Sequence, residues 1–136
     1  MSRLVFLIMM VAVLSARAAA ATKICSPDGR IVLSVAVSKG KVFYELERDG
    51  AAVMKPSALG FVLADGRLDS GFAVAGTDTA SHDDTWRQVW GEDEYVRNHY
   101  NELTLHLVQK HGKRRRLDIV FRAFDDGIGF RYVIPA

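Results

Sequence analysis

The side chains best suited to chemistry are concentrated in residues 86–102, which read WRQVWGEDEYVRNHYNE. Aromatic rings can stack on the apolar C–H faces of sugars, while Arg, Asn and carboxylate groups can form paired hydrogen bonds with hydroxyls. This composition favours carbohydrate recognition. The alternative is an irregular loop pinned by buried Trp and Tyr, with its charges paired to one another, and composition alone gives this structural interpretation the advantage. The candidate site residues are Trp90, Glu92, Arg97, Asn98, His99, Tyr100, Asn101 and Glu102.

Carboxylates in the same region suggest two further kinds of site. Glu92, Glu94 and Glu102 could include the pair of acids that a glycosidase uses, but such a pair must lie about 5–10 Å apart across the bond it cleaves. Solvated or salt-bridged carboxylates are the favoured interpretation. Residues 83–84 together with residues 92–94 could bind calcium, although the spacing of an EF-hand loop is missing.

Other motifs exclude several function classes. Residues 113–116 (KRRR) form a basic run without interleaved aromatic residues, which is typical of a solvated turn. The four histidines show no H-E-x-x-H spacing, and no P-loop, dinucleotide-binding glycine pattern or nucleophile elbow is present. The sequence therefore does not predict a zinc peptidase, a nucleotide-binding enzyme or a serine hydrolase.

The elements that must position these residues are predicted to be strands. Apolar side chains alternate with polar ones in residues 31–37, 42–46, 103–107, 117–121 and 128–132, which is the pattern of half-buried strands. Asp49-Gly50 and Lys39-Gly40 are two-residue hairpin turns of the kind that need positive φ. Successive antiparallel hairpins without a capped helical pattern predict an all-β sandwich or barrel.

Some residues are expected to interrupt this pattern. Residues 76–85 are small, polar and acidic, and they predict a loop. Pro56 argues against a central strand around it, because proline cannot donate to a β-ladder. The single cysteine, Cys25, rules out an internal disulfide and is expected to be a small buried or half-buried residue.

The first 21 residues have the layout of a secretory signal peptide: a short basic start, an apolar run over residues 4–14 and a small-residue cleavage region ending at Ala21. The apolar run is shorter than the roughly 20 residues of a membrane span. Cleavage would remove Arg3 and Arg17 and no acid, so the formal charge of +2 would fall to zero. A neutral domain offers no electrostatic case for nucleic-acid binding. We therefore expect an exported, periplasmic or extracellular protein with no membrane span after cleavage.

Five segments of the chain resemble the N-terminal domain of glycoside hydrolase family 97. The RNHYNEL and FRAFDDGIGFRY segments are specific, and Gln88 stands where a proline would be expected. The resembling segments are residues 26–29, 55–60, 89–92, 97–103 and 121–132.

The resemblance implies a fold and an activity for the whole protein. It implies an antiparallel β-super-sandwich, galactose-mutarotase-like, packed on a (β/α)8 barrel that supplies the catalytic acid and the base or nucleophile. Calcium would sit at the active site, and the metal-binding carboxylate of the N-terminal domain would lie beyond Pro135. Such enzymes act on α-glucosides or α-galactosides. After the signal peptide predicted for residues 1–21, the resemblance implies a partial N-terminal sandwich domain over residues 22–136, incomplete at its C-terminus. No catalytic residue, metal ligand or cofactor is then expected here, and residues 90–102 would rim the carbohydrate site or face the barrel.

Three hypotheses about function remain open at this point. The chain is the N-terminal portion of an exported α-glycoside hydrolase, and inactive by itself. Alternatively it is a stand-alone carbohydrate-binding sandwich, or an inactive remnant of a truncated gene. The first and third predict that the isolated chain aggregates, because a final strand without a neighbour leaves an open sheet edge.

Overall fold

The computed structural model describes residues 21–136, so the signal peptide predicted for residues 1–21 lies outside the described residues except for Ala21. All regular elements in this part of the chain are β-strands, which confirms the all-β prediction. Within it, no helix has the length and hydropathy needed to cross a membrane. The ten strands are β1 (Thr22–Cys25), β2 (Ile31–Ser38), β3 (Lys41–Arg48), β4 (Ala51–Leu59), β5 (Phe61–Leu63), β6 (Gly66–Leu68), β7 (Phe72–Arg87), β8 (Tyr95–Gln109), β9 (Arg116–Ala123) and β10 (Ile128–Val133).

Two four-stranded antiparallel sheets form the body of the fold. The first has the strand order β1-β2-β3-β4 and the second has the order β10-β9-β8-β7, while β5 and β6 form a separate ribbon. Neighbours in sequence are neighbours in each sheet, because short turns can join antiparallel strands directly. The predicted antiparallel sandwich is confirmed.

The core lies between the two sheets. Alternate residues of β2, β8 and β9 form one buried cluster, which includes Leu33, Val35, Leu105, Ile119 and Phe121. Each large apolar side chain that is fully buried contributes about 1.5–3 kcal/mol to folding. The alternation in the sequence therefore correctly predicts which face of each strand is buried.

The two predicted hairpin turns have the backbone that their residues suggest. Lys39 and Gly40 have φ of 50° and 75°, and Asp49 and Gly50 have φ of 52° and 78°. Positive φ at both central positions is the signature of a type I′ turn, whose twist matches that of the flanking strands.

Pro56 lies within β4, at the edge of the first sheet. The β3–β4 register shifts between the pairs Tyr44–Ser57 and Leu46–Met54, so Pro56 falls in the irregular part of the ladder. An edge strand and a bulge both tolerate a residue without an N–H group. The expectation that no central strand contains Pro56 is confirmed.

The loop predicted for residues 76–85 is wrong, because these residues form most of β7. They pair with β8 over their whole length, with one bulge between Val74 and Gly76. Most side chains of β7 are exposed on both faces. A strand with two solvated faces has no apolar alternation, so its sequence resembles that of a loop.

Candidate functional site

The candidate site residues lie on a long hairpin formed by β7 and β8, which pair from Phe72–Gln109 to Arg87–Tyr95. From these strands, Phe72, Leu103, Leu105 and Leu107 contribute to the core. We call residues 80–102 the distal hairpin and residues 88–94 its tip. The distal hairpin has no residue in the core cluster, so its side chains pack on each other and on adjoining strands.

Strand alternation divides the β8 candidates between two faces, because successive side chains of a strand point to opposite sides. One face continues the core side of β8 beyond Leu103, and the other faces away from the sandwich. The core-side candidates are Arg97, His99 and Asn101, and the outward candidates are Asn98, Tyr100 and Glu102. These six residues therefore do not form one site.

The core-side face carries a cross-strand ion pair. Arg97 donates two hydrogen bonds to the carboxylate of Asp83, each of 2.8 Å. The guanidinium of Arg97 lowers the pKa of Asp83 below its ordinary value. His99 Nε2 lies 4.0 Å from the same carboxylate. Arg97 is thus held by Asp83, which the sequence placed in a loop and therefore could not identify as a partner.

Asn101 ties the hairpin to the first sheet. Its side-chain amide donates to the carbonyl of Cys25 in β1 at 2.8 Å, and its side-chain oxygen accepts a 2.7 Å hydrogen bond from Ser81. The side chain of Cys25 is exposed, so the expectation that it is buried or half-buried is wrong. In the short strand β1, Ile24 is the residue that enters the core.

The outward face holds a packed aromatic and ionic cluster. Tyr100 is 7% exposed and its ring lies 5.1 Å from that of His82 and 5.2 Å from that of Phe124. Arg122 Cζ lies 4.4 Å from the centre of the Tyr100 ring, in a cation–π contact. Arg122 also donates to Glu102 at 2.7 Å. Tyr100 is therefore packed and Glu102 is paired within the chain, which is the arrangement that the alternative interpretation of this region predicted.

The tip is held closed by hydrogen bonds of Gln88. Its backbone N–H donates to the carbonyl of Glu94 at 3.0 Å, and its side-chain amide donates to the carbonyl of Asp93. Arg87 and Glu94 add an ion pair of 2.8 Å. Gly91 has φ of 145°, and a Cβ there would overlap the Gln88 amide. A proline in place of Gln88 could make neither of the two hydrogen bonds.

Aromatic residues near the tip are exposed, not buried. Trp90 is 89% exposed, Tyr95 62% and Trp86 49%. The structural interpretation of residues 86–102 as a loop pinned by buried Trp is therefore wrong for both tryptophans, although it is correct for Tyr100. Trp86 and Tyr95 were not among the candidates, because sequence alone does not show which aromatic side chains the fold leaves uncovered.

Two of the three candidate acids are engaged in ion pairs. Glu94 contacts Arg87 at 2.8 Å, and Glu102 contacts Arg122 at 2.7 Å. Glu92 is exposed at the tip. The salt-bridged interpretation is correct for Glu94 and Glu102.

The calcium site suggested for residues 83–84 and 92–94 does not form. Within residues 21–136, no group of three or more His, Cys, Asp or Glu side chains is arranged to hold a metal ion. Asp83 is paired with Arg97, and Asp84 contacts His82 at 2.9 Å. Neighbouring residues of a strand also point to opposite faces, which separates the two aspartates.

A second cluster lies on the outward face nearer the middle of the sheet. His106 Nε2 lies 2.8 Å from Asp78 of β7, and His106 Nδ1 lies 2.9 Å from Asp118 of β9. Hydrogen bonding to Asp78 and then to Asp118 raises the pKa of His106. The sequence shows that His106 faces outward, but strand register is needed to place both carboxylates beside it.

The family is decided by a match between residues 24–136 and the model of the family described as "Glycosyl-hydrolase 97 N-terminal". The chain belongs to this family. The resemblance found in the five sequence segments is thereby confirmed.

Two curated relatives are much longer than this chain. A retaining alpha-galactosidase of Bacteroides thetaiotaomicron is 28% identical over 135 residues, which cover 98% of the chain and 19% of that protein. A probable retaining alpha-galactosidase of Streptomyces bingchenggensis is 27% identical over 109 residues, which cover 80% of the chain and 16% of that protein. The chain thus spans less than a fifth of these relatives.

Solved structures agree with the fold. A family 97 enzyme of Pseudoalteromonas sp. strain K8 in complex with panose superposes with a TM-score of 0.80 at 29% identity, over 84% of this chain and 17% of that one. The same enzyme is known in complex with acarbose. A beta-arabinopyranosidase superposes with a TM-score of 0.78 at 26% identity, over 85% of this chain and 18% of that one.

Proposed function

We propose that this chain is the non-catalytic N-terminal domain of an exported α-glycoside hydrolase, and that it supports a (β/α)8 catalytic barrel. The observation that carries the proposal is the family match over residues 24–136, in a chain that spans 19% of a retaining alpha-galactosidase. The substrate of the whole protein would then be an α-glucoside or an α-galactoside.

A non-catalytic role fits the state of the carboxylates. Glycoside hydrolysis requires two carboxyl groups placed on either side of the scissile bond. Glu94 and Glu102 form ion pairs with Arg87 and Arg122, so Glu92 is the one of the three candidate acids without an ion pair among the described residues. The catalytic acids of the whole enzyme would be side chains of the barrel, and its calcium would be bound by residues outside 21–136.

The tip of the distal hairpin supports a role beside the carbohydrate site. Active sites of barrel enzymes lie at the C-terminal face of the barrel strands, so another domain can only contribute to the rim. Trp90 and its neighbour Val89 are the two most exposed large apolar residues of the described chain, and adjoining exposed apolar side chains can mark a contact with another surface or a ligand. The rim or barrel contact would therefore involve the tip more than residues 97–102.

Export is the remaining part of the proposal. Residues 1–21 have the composition of a signal peptide, and cleavage after Ala21 would give a mature protein beginning at Thr22. The location would be the periplasm or the extracellular space.

The test is to isolate the native protein from its source with an antibody raised against residues 22–136. We expect a polypeptide about five times as long as this chain, as in the relative of which it covers 19%, with Thr22 as its N-terminus. It should hydrolyse nitrophenyl α-glucoside or α-galactoside. A native protein of this chain's own mass, without hydrolase activity in the isolated material, would refute the proposal.

The second candidate is a stand-alone carbohydrate-binding sandwich, and the exposure of Trp90 beside polar groups favours it. It predicts a native protein of this chain's mass that binds oligosaccharides and does not hydrolyse them. The same isolation therefore distinguishes the two candidates.

A further inference from the structure

Three turns that are far apart in sequence meet at the end of the sandwich opposite the tip. A Cβ on Gly40 in the β2–β3 turn would lie 3.0 Å from the backbone nitrogen of Gly71. Lys110, at the start of the β8–β9 turn, donates its backbone N–H to the carbonyl of Gly71 at 2.9 Å. The β5–β6 turn joins them, because Arg115 donates to the carboxylate of Asp65. The three turns therefore form one continuous surface.

We call residues 39–41, 62–71 and 110–116 the basic end. It contains eight Lys and Arg side chains and two Asp, so its formal charge is +6 with histidine neutral. Two of the 18 Lys and Arg side chains in the sequence lie in the predicted signal peptide, and the other 16 balance the 16 acids. The rest of residues 22–136 therefore carries a formal charge of −6. The zero net charge of this part of the chain conceals a strongly polarised molecule.

Most cations of the basic end are free to contact a partner. Asp65 contacts Lys113 and Arg115, and Asp69 contacts Arg67. The exposed cations of the basic end without an ion pair among the described residues are Lys39, Lys41, Lys110, Arg114 and Arg116. Like charges gathered on one surface repel each other. An anionic partner would remove this repulsion.

Two aliphatic side chains are exposed within the same surface. Val62 is 60% exposed and Leu63 is 39% exposed. Val62 lies opposite Arg67 in the β5–β6 ribbon, and Leu63 lies opposite Gly66, against which the Arg115 guanidinium packs. Apolar side chains surrounded by cations suit the boundary between lipid headgroups and acyl chains, where cations meet phosphates and apolar groups leave water.

The composition of the basic end argues against a nucleic acid as its partner. Proteins that bind single strands stack the bases on aromatic side chains, and residues 39–41, 62–71 and 110–116 contain no Phe, Tyr or Trp. Contacts with phosphates and sugars come from cationic and polar groups, so exposed Val62 and Leu63 would add nothing to them. At a lipid surface the same two side chains add to binding.

We infer that the basic end docks the protein on an anionic phospholipid surface, with Val62 and Leu63 entering the interface and the cations facing the headgroup phosphates. The basic end adjoins the Phe72–Gln109 pair of the β7–β8 ladder, whereas the tip follows the Arg87–Tyr95 pair. Because β7 has 16 residues, docking would hold the tip up to about 50 Å from the headgroups. This inference goes beyond the proposed function and does not depend on hydrolase activity.

The test is co-sedimentation with vesicles of the protein expressed from its complete gene. We expect binding to vesicles of phosphatidylglycerol and phosphatidylcholine in equal parts at about 0.1 M salt. Binding should be at least about tenfold weaker at about 1 M salt, because the Debye length falls from about 10 Å to about 3 Å. Vesicles of phosphatidylcholine alone should also bind at least about tenfold more weakly, because they carry no net charge.

A triple variant tests the role of the cations. Lys41→Gln, Lys110→Gln and Arg114→Asn together should weaken vesicle binding by on the order of a hundredfold, since each cation beside an anionic surface contributes about fivefold, or about 1 kcal/mol. Asparagine replaces Arg114 because the backbone there has φ of 48°, which asparagine tolerates.

The matched control removes the same amount of charge elsewhere. Lys23, Lys55 and Arg131 are exposed on β1, β4 and β10, outside the basic end. Replacing all three with glutamine should weaken binding less than about threefold, because surface charges away from the membrane are screened. The two triple variants have equal net charge, so a difference between them shows that the position of the cations matters.

A single variant tests the apolar contact. Val62→Ser should weaken vesicle binding at least about fivefold, because a valine side chain no longer leaves water. Val53→Ser is its control, since Val53 is equally exposed at 62% but lies on β4. This control should bind as the wild type does. A Val62→Ser variant that binds as tightly as the wild type would overturn the insertion of Val62.

Three results would overturn the inference as a whole: no binding to the anionic vesicles, equal binding to phosphatidylcholine vesicles, or equal losses in the two triple variants. Salt-sensitive binding to duplex DNA by a protein that does not bind vesicles would overturn it in favour of a nucleic acid. None of these results bears on the length or hydrolase activity of the native protein, so failure here is distinguishable from failure of the proposed function.

Discussion

The imidazole of His106 contacts Asp78 on one neighbouring strand and Asp118 on the other, at 2.8 and 2.9 Å. Ionised carboxylates only accept hydrogen bonds, so both ring nitrogens must donate, and only the imidazolium can do this. Arg116 lines the same surface depression as His106 and Asp118, and strand alternation puts it on the face of β9 that carries Asp118. His106 therefore joins β7, β8 and β9 most strongly when it is protonated.

This arrangement predicts a pH-dependent loss in a His106→Gln variant. The two carboxylates raise the pKa of His106 above its ordinary value of 6.5, so the stabilisation is fully present below pH 6.5 and disappears as the pH rises through the higher folded-state pKa. Urea unfolding at pH 5.5 should show that the variant has a free energy of unfolding about 0.5 kcal/mol lower than that of the wild type. The expected difference is small because the site is partly solvated. At pH 9 the loss should be close to zero.

The matched control is His111→Gln, because His111 is exposed in the turn before β9. The difference in free energy of unfolding between this variant and the wild type should be the same at pH 5.5 and at pH 9. If the His106 variant behaves in the same way, the two carboxylates do not favour the imidazolium in solution.

Replacing the packed Tyr100 and the exposed Trp90 by alanine should affect stability very differently. Tyr100 is packed between His82, Phe124 and Arg122, so Tyr100→Ala should lower the free energy of unfolding by about 3 kcal/mol. Trp90→Ala should change it by less than about 0.5 kcal/mol, since surface substitutions rarely do more. Chemical denaturation of both variants measures the contrast, and equal losses would show that Trp90 is covered in solution.

Among the elements, the distal hairpin differs most from its sequence-based prediction. Its β8 strand begins at Tyr95, eight residues before the first of the alternating leucines that identify it, and its partner strand contains the residues predicted to be a loop. Leu103 and its neighbours alternate because one face is buried. Thr77 to Thr85 lack that constraint, so hydrogen bonding to β8 alone makes them a strand.

The candidate residues in this hairpin lie close together in the sequence, but their contacts depend on strand pairing. Arg97 and Tyr100 look equally available for binding in the sequence, yet Arg97 is held by Asp83 and Tyr100 by Arg122. Both partners are more than ten residues away along the chain. In the sequence, Gln88 is notable only because a proline is expected there. In the structure, Gln88 donates the hydrogen bonds that hold the tip closed.

The closed tip gives a prediction at this scale for Gly91→Ala. A methyl group there would displace the Gln88 side chain, and the residue would keep a φ that only glycine adopts readily. We expect amide hydrogen exchange of residues 88–94 to increase at least about threefold, with little change in the melting temperature, because local opening does not involve the core.

Gly127→Ala is the control for this change. Gly127 also lies in a turn, but a Cβ there meets no atom within 4 Å and its φ is not positive. Hydrogen exchange in residues 88–94 should be unaffected. If Gly91→Ala also leaves the exchange unchanged, Gln88 does not hold the tip closed.

In the whole molecule, the two sheets enclose the core more completely at its centre than beside β10. Phe121 of β9 is fully buried, whereas Phe130 of β10, directly opposite it in register, is 41% exposed. The Tyr132 hydroxyl accepts a hydrogen bond from the backbone N–H of Gly60 and so links β10 to the segment after β4. β10 is thus attached to both sheets while one side of it remains open to solvent.

This asymmetry predicts unequal costs for two substitutions of the same type. Phe121→Ala removes a fully buried ring and should destabilise the fold by about 4 kcal/mol, a large part of the 5–15 kcal/mol that typically stabilises a small domain. Phe130→Ala removes a ring that keeps much of its hydration, so we expect a loss of about 1–2 kcal/mol. Urea denaturation at several protein concentrations separates the two cases. If Phe130→Ala lowers the free energy of unfolding as much as Phe121→Ala does, and the loss grows with protein concentration, another protein surface covers β10 in solution. If the loss is equally large but independent of concentration, Phe130 is buried within the chain itself.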